Sequence, residues 1–305
     1  MKTILVVALF LSIASTQAQQ VQNTDAVSKE AAAAYEAKDW GKAATLYEEL
    51  SKEMAAPPPR VWLRLGAAMR SLGRYEEALA AFDKAGQAGA GPFSEYGKAA
   101  VFAAMHQPEK ALASLGRAVQ QGYADPDALA TDPNLLALRN DPGFAKIVEQ
   151  AKKNQRPCAY TPENRQFDFW LGEWNVSTTE GGIPSGSSKI ELILGDCVIQ
   201  ENWQSLNNPY TGKSYNIYNA ALKRWEQYWV DSTGGNIFFY GGLKDGVMDY
   251  WTDDLVQPGG AKLKRHLQFF RLGPDTVRQF SQGSSDGGKT WQVEYDFTYV
   301  RKTKD

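Results

Sequence analysis

Histidine and cysteine are scarce in this 305-residue chain, with two of each. His106 and His266 stand far apart, and no His-x-x-x-His or Cys-x-x-Cys pair occurs, so the sequence supports no metal site. A Gly-x-Ser-x-Gly elbow and a phosphate-cradling glycine loop are also missing, which leaves no signature of a serine hydrolase or a nucleotide-binding enzyme. Charge of one sign is not in excess: 33 basic residues face 35 acidic ones, for a formal net charge of −2. That balance gives no electrostatic reason to expect nucleic acid or an anionic membrane as a partner. Beyond the N-terminus no apolar run is long enough to cross a bilayer.

The N-terminus carries an apolar run too short to span a bilayer comfortably, the alternative to a cleaved signal being an uncleaved anchor. Residues 1–18 read as a secretory signal peptide, with Lys2 as the positive start, apolar residues from Ile4 to Ile13, and Thr16-Gln17-Ala18 as a small-x-small cleavage site. No cysteine follows that site, which argues against a lipoprotein anchor. The mature chain is therefore expected in a periplasm or outside the cell. In such an oxidising place Cys158 and Cys197 are expected to form one disulfide, the alternative being two buried free thiols.

Composition breaks in the middle of the chain. Residues 25–155 are rich in Ala, Glu, Lys and Leu, whereas residues 156–305 hold seven of the nine tryptophans and nine of the fourteen tyrosines. Helix formers dominate the first half and strand-compatible residues the second. Pro157 and Pro162 mark the junction. The expected architecture is therefore an α+β two-domain chain, an all-α helical array over 25–155 followed by an antiparallel β domain over 156–305.

The first half repeats. Ala43, Ala78 and Ala111 align at spacings of 35 and 33 residues, and Tyr47, Phe82 and Leu115 follow each by four. Small residues let paired helices approach, and the larger ones fill the layer between them. With Trp62, Leu65, Gly66, Met69 and Gly73 upstream of the second copy, the pattern resembles the tetratricopeptide repeat, a helix-turn-helix unit of about 34 residues. Three Asp-Pro steps after the third copy, at Asp125, Asp132 and Asp141, start shorter helical pieces that read as a cap over the last hydrophobic edge. The resemblance implies a concave face, lined by the first helix of each repeat, that binds a peptide or protein partner. Tyr35, Leu63, Arg70 and Tyr96 are the residues expected to point into it. The family's carboxylate-binding variant is not implied, because its positions carry Ser28, Leu63 and Tyr96 here. The alternative is a helical scaffold that supports the second domain.

In the second half turn signals recur about every ten residues, which favours a sandwich or barrel of short antiparallel strands. Ten strands are expected near 173–179, 187–194, 197–205, 213–221, 225–232, 236–242, 247–253, 262–272, 276–283 and 290–301, and hairpins joining them would close an up-and-down barrel. The segments "FDFWLGEWNV", "GDCVIQENW", "KSYNIYNAALKRWEQYWVDSTG", "LKDGVM" and "SSDGGKTWQVEYDFTYVRK" resemble a bacterial family of unknown function with lipocalin-like or nitrobindin-like barrel character. The resemblance implies a barrel that can enclose a small apolar ligand. It does not extend to haem, because the Gly-x-Trp-x-Gly-x-Gly signature of nitrobindins is absent, and no cofactor is expected.

Residues two apart share a strand face. Trp225, Gln227, Trp229 and Asp231 therefore lie together, as do Cys197, Ile199, Glu201 and Trp203. Tryptophans beside polar side chains suggest an aromatic cavity with a few anchored hydrogen-bonding groups, lined by Glu201, Trp203, Trp225, Gln227, Trp229 and Asp231, with Glu173 also facing it. The alternatives are a filled barrel, or a hydrolase of a glycan or lipid that draws two carboxylates from Asp168, Glu173, Glu201 and Asp231. "QFDFWLGEWNV" reads as an aromatic plug closing one barrel end, with Asp168 capping its turn. Ser284–Trp291 matches the Asp-box spacing Ser-x-Asp-x-Gly-x-Thr-Trp, a structural hairpin. The favoured reading is a non-catalytic binding or adaptor protein, its barrel binding a small apolar ligand or acting as a docking surface.

Overall fold

The computed structural model describes residues 24–256 and 260–303, so the expected signal peptide and part of the Gln257–Ala261 turn lie outside the described residues. The chain divides into two compact units, one up to Gln155 and one from Arg156.

The first unit is a helical array of antiparallel pairs. Helices α1 (24–36) and α2 (Trp40–Glu53), α3 (Pro59–Ser71) and α4 (Tyr75–Ala85), and α5 (Pro92–Ala104) and α6 (Pro108–Gln120) form three pairs. Ala43, Ala78 and Ala111 are all fully buried, because a larger side chain there would hold the paired helices apart. Phe82 fills the gap between pairs and needs glycine on both sides. A Cβ on Gly97 would lie 2.2 Å from its ring, and one on Gly66 3.0 Å. The turn inside each pair ends on a left-handed residue, Lys38, Gly73 or His106, at the same 35- and 33-residue spacing as the alanines. Only the second copy uses the residue type suited to that geometry.

The cap follows, as α7 (Pro126–Thr131), a 3₁₀ turn over Pro133–Leu138 and α8 (Pro142–Gln155). Each starts at Asp-Pro: Asp125 accepts from Ala128 N, Asp132 from Asn134 N and Asp141 from Gly143 N. Leu129, Leu135, Leu138 and Phe144 bury themselves against Leu115 and Val119 of α6. That covers the edge the third pair leaves open.

The second unit is a closed antiparallel barrel of ten strands: β1 (Gly172–Thr178), β2 (Pro184–Ile193), β3 (Val198–Ser205), β4 (Thr211–Asn219), β5 (Arg224–Asp231), β6 (Asn236–Lys244), β7 (Val247–Trp251), β9 (Lys262–Arg271), β10 (Thr276–Ser284) and β11 (Gln292–Arg301). Sequential neighbours pair, and β11 returns to β1 to close the ring. A further short strand, β8 (Leu255–Val256), pairs with the start of β9 and, being two residues long, carries no periodic signal in the sequence.

One barrel end is sealed. A short helix α9 (Pro157–Tyr160) and two 3₁₀ turns, Pro162–Arg165 and Asp168–Trp170, lead into β1. Cys158 is bonded to Cys197 in the β2–β3 turn, beside an Arg156–Asp196 ion pair and an Arg165–Asp196 carbonyl bond of 2.5 Å. Phe167, Trp170 and Trp174 are fully buried with Trp225, Tyr250 and Phe269, their rings in edge-on and stacked contacts. Trp174 donates its indole N–H to Trp170 O at 2.9 Å, and Arg301 lies over the Trp174 ring. Asp168 does not cap this turn as expected. Its Oδ1 is buried without a hydrogen-bond partner and its Oδ2 stands 3.6 Å from Arg165. Desolvation consequently raises its carboxyl above the usual range.

Candidate functional site

The aromatic plug occupies one end of the barrel only. The remainder encloses a cavity of about 880 Å³ that opens at the other end, where the β3–β4 and β5–β6 loops and β8 meet. Its walls follow from strand parity. On β3, Ile199, Glu201 and Trp203 point inward, and on β5 Trp225, Gln227, Trp229 and Asp231 do.

Two glycines keep the lumen open. A Cβ on Gly212 of β4 would sit 2.2 Å from the Trp229 indole, and one on Gly186 of β2 would sit 2.8 Å from Trp203. Each indole therefore packs closely against the backbone of a neighbouring strand. Trp203 stacks on Phe297, and Phe297 on Tyr295. Ile237, Phe239 and Leu267 complete an apolar girdle.

Beneath the girdle lies a polar floor around Glu201, which is 2% exposed. Ser188 Oγ donates to its Oε1 at 2.9 Å and Ser214 Oγ to its Oε2 at 3.1 Å. Gln227 Nε2 donates to Asn216 Oδ1 at 2.8 Å, and Asn216 Nδ2 donates to Ser214 Oγ at 3.0 Å, so a run of donors points toward Glu201. The single Tyr299 hydroxyl proton goes to Gln279 Oε1 at 2.6 Å, the Glu201 contact being 3.4 Å. Burial outweighs these hydroxyl bonds and pushes the Glu201 carboxyl up to about 7. Tyr299 is also raised, by burial first and by Glu201 second.

Asp231 lines the mouth but is fully engaged. Thr233 N and Oγ1, Gly235 N, Trp229 Nε1 and Tyr210 Oη all donate to it, at 2.5 to 3.3 Å. These bonds, that of Thr233 Oγ1 foremost, hold its carboxyl down at about 2, and it organises the β5–β6 hairpin. Across the mouth Arg265 Nε donates to Glu294 Oε1 at 2.8 Å, and Ser281 Oγ donates to Glu294 Oε2 at 3.0 Å.

The structure thus brings Glu201, Trp203, Gln227, Trp229 and Asp231 to one cavity and leaves two expected residues out of it. Trp225 belongs to the sealed end, where it packs on Phe167 and donates to Gln166 Oε1. Glu173 points outward: Trp174 and Val176 take the inner face of β1, so Glu173 is exposed opposite Lys189. Cys197 precedes β3 and sits in the disulfide. Sequence reasoning missed Gln279, Ser281, Tyr295, Phe297 and Tyr299, although they alternate along β10 and β11, because polar or aromatic residues at every second position also mark a solvated face. It also missed Arg265 and Glu294, for which no sequence signal exists.

His266 is on the outer wall, opposite in parity to the cavity-lining Arg265 and Leu267. Its ring stacks on Trp251 at 3.6 Å, Nε2 pairs with Asp249 and Nδ1 meets the Gln282 amide at 3.0 Å. Both nitrogens are engaged, and neither faces the lumen. The Asp-box hairpin is formed: Asp286 accepts from Lys289 N, Thr290 N and the Ser284 and Thr290 hydroxyls, and the edge of Trp291 meets Trp251.

In the helical unit Tyr35 is half-buried, edge-on to Trp40 and Tyr47, with Arg64 5.0 Å over its ring. Leu63 and Arg70, one heptad apart on α3, share its half-buried surface. Tyr96 is committed elsewhere. It stacks on Tyr123 at 4.9 Å and donates to Asp132 Oδ2 at 2.5 Å, tying α5 to the cap.

Residues 59–88, which span α3 and α4, match the tetratricopeptide repeat family model. Among solved structures the chain is similar to the Arabidopsis OM64 TPR domain, at 16% identity and a TM-score of 0.32, covering 44% of this chain and 98% of that one. It is similar to the TPR2AB domain of yeast Sti1 in its pHSP90 complex, at 20% identity and a TM-score of 0.32, over 50% and 57% of the two chains. A third likeness is to the S-type phycobiliprotein lyase CPES of Guillardia theta, at 12% identity and a TM-score of 0.27, over 46% and 92%. These likenesses are too distant to carry an argument about what this chain binds. No curated protein matches the chain.

Proposed function

We propose that this is a non-catalytic binding protein whose barrel takes up a small, largely apolar ligand and whose helical repeats engage a peptide or protein segment. The observation that carries the reading is the 880 Å³ cavity, open at one end and sealed at the other, with Trp203 and Trp229 held against its wall by glycines. A filled scaffold barrel would place side chains where that space lies. The volume is in the range of about 300–1,000 Å³ typical of small-molecule sites, and an apolar girdle with few polar groups is their usual lining.

The hydrolase reading is the weaker one, because its four carboxylates do not make a working pair. Glu173 is outside, Asp168 is in the plug, and Asp231 is held by five donors, leaving Glu201 alone of the four, while the other carboxylate lining the cavity, Glu294, is held by Arg265 and Ser281. For the repeats, the family match over 59–88 and the half-buried surface of Tyr35, Leu63 and Arg70 support a groove for an extended segment. The Cys158–Cys197 bond supports a periplasmic or extracellular location.

Titration with N-phenyl-1-naphthylamine, a neutral apolar fluorophore, tests the barrel. The expected outcome is one saturable site, with native mass spectrometry of protein purified from its own host showing a co-purified small molecule displaced by the dye. A barrel that takes up no apolar probe under either measurement sinks the reading.

A further inference from the structure

The cavity is unbalanced in charge. Among the described residues its lining holds three carboxylates, Glu201, Asp231 and Glu294, against one cation, Arg265. Arg265 and Glu294 neutralise each other at the mouth. Asp231 keeps its negative charge on the rim. At the floor Glu201 is buried, and its partners are neutral: Ser188 and Ser214 hydroxyls, with Tyr299 at a longer distance. A buried carboxylate without a counter-cation is costly unless something supplies the charge. Above it the cavity lining carries the indoles of Trp203 and Trp229, aromatic rings of the kind that attract a desolvated cation.

We propose, building on the reading of the barrel as a ligand-binding cavity, that its ligand is a compact aromatic or alicyclic amine whose ammonium group seats on Glu201 while its apolar body lies between Trp203 and Trp229. Seating the cation favours the ionised carboxylate, so uptake releases a proton where Glu201 would otherwise hold one. The titratable groups facing Glu201 are Tyr295 and Tyr299 of β11, both raised by burial and so protonated through the neutral range. β2, β4 and β10 present Ser188, Ser214, Asn216 and Gln279, and β3 brings Glu201 itself. The other charged groups around the cavity are Asp231 of β5, Arg265 of β9 and Glu294 of β11.

Three probes of one size separate the possibilities: 2-phenylethylamine, 2-phenylethanol and phenylacetate, titrated into the full chain and followed by intrinsic tryptophan fluorescence. The amine is expected to bind about tenfold or more tighter than the alcohol at pH 8, with phenylacetate weakest. Its affinity is expected to fall as the pH drops from 8 to 5.5, while that of the alcohol stays level. Glu201→Gln is expected to remove the preference and its pH dependence and to leave alcohol binding as it was. Should that variant not fold, the pH dependence of the unaltered protein decides. An alcohol that binds as well as the amine, a preference for phenylacetate, or an amine affinity flat with pH overturns the proposal, yet leaves the cavity a binding site. Failure of all three probes together with N-phenyl-1-naphthylamine overturns both.

Discussion

A single carboxyl group sets the chemistry of the barrel interior. Glu201 is surrounded by hydroxyls arranged to donate to it, yet burial still raises its carboxyl from an ordinary 4.5 to about 7. The folded chain therefore binds this proton more tightly than the unfolded chain does. The stability contribution is fully present below pH 4.5 and is lost as the pH rises through about 7, by a shift worth on the order of 3 kcal/mol. Glu201→Gln should remove this slope, so that the variant gains on the parent as pH rises from 5 to 8 in urea unfolding followed by tryptophan fluorescence. Parallel pH profiles for the two proteins would falsify the assignment. Asp231 shows the opposite case one strand pair away. Another carboxyl group at the same cavity is held at about 2 by turn donors, so it is an architectural group. Chain alternation places both on inner faces, but the balance of burial against donors around each decides which carboxyl is free to act.

Between strands, the pairing of tryptophan with glycine is what makes a cavity. Trp229 on β5 and Trp203 on β3 both lie over glycines of adjacent strands, Gly212 on β4 and Gly186 on β2. Replacing Gly212 with valine should swing the Trp229 indole into the lumen. We expect a loss of N-phenyl-1-naphthylamine uptake together with a destabilisation of about 1–3 kcal/mol from overpacking. Unchanged dye binding by a folded variant would show that the glycine has no part in keeping the lumen open. The helical pairs use the same device for the opposite end. Gly66 and Gly97 admit Phe82, which fills space instead of preserving it. The repeat positions of Ala43, Ala78 and Ala111 were legible because close helix approach demands small residues at a constant spacing. The glycines of the barrel were not legible in the same way. A strand glycine acquires its meaning only from the residue across from it, and that is set by register.

For the whole molecule, stability is divided. The helical unit rests on buried aliphatic and alanine layers closed by its Asp-Pro cap, whereas the barrel rests on a ring of pairings, an aromatic plug and one disulfide. The bridge spans a sequence separation of 39 and joins the segment leading to the plug to the β2–β3 turn. Loop-closure entropy for that span is worth about 4 kcal/mol, less any native strain. Mild reduction should therefore lower the midpoint of the tryptophan-detected transition, because seven of the nine tryptophans lie in the barrel half. The helical signal at 222 nm should be little changed. Equal shifts in both signals would argue that the two units unfold as one.

The sequence by itself determined a helical repeat array followed by an antiparallel barrel, the repeat spacing, the ten barrel strands and the inward parity of Glu201, Trp203, Gln227 and Trp229. All of these follow from local periodicity, which survives in a single chain because helices and strands have fixed periods. Tertiary structure alone decided that Trp225 closes the barrel while Trp229 opens it, although the two share one face of one strand. It also decided that Glu173 faces out, and that Arg265 and Glu294 meet over β10 from the strands on either side of it. Parity states which side of a strand a residue occupies. How far along the barrel axis it lies, and what stands opposite, depends on the depth of the plug and the stagger of the closed ring, which no local pattern records.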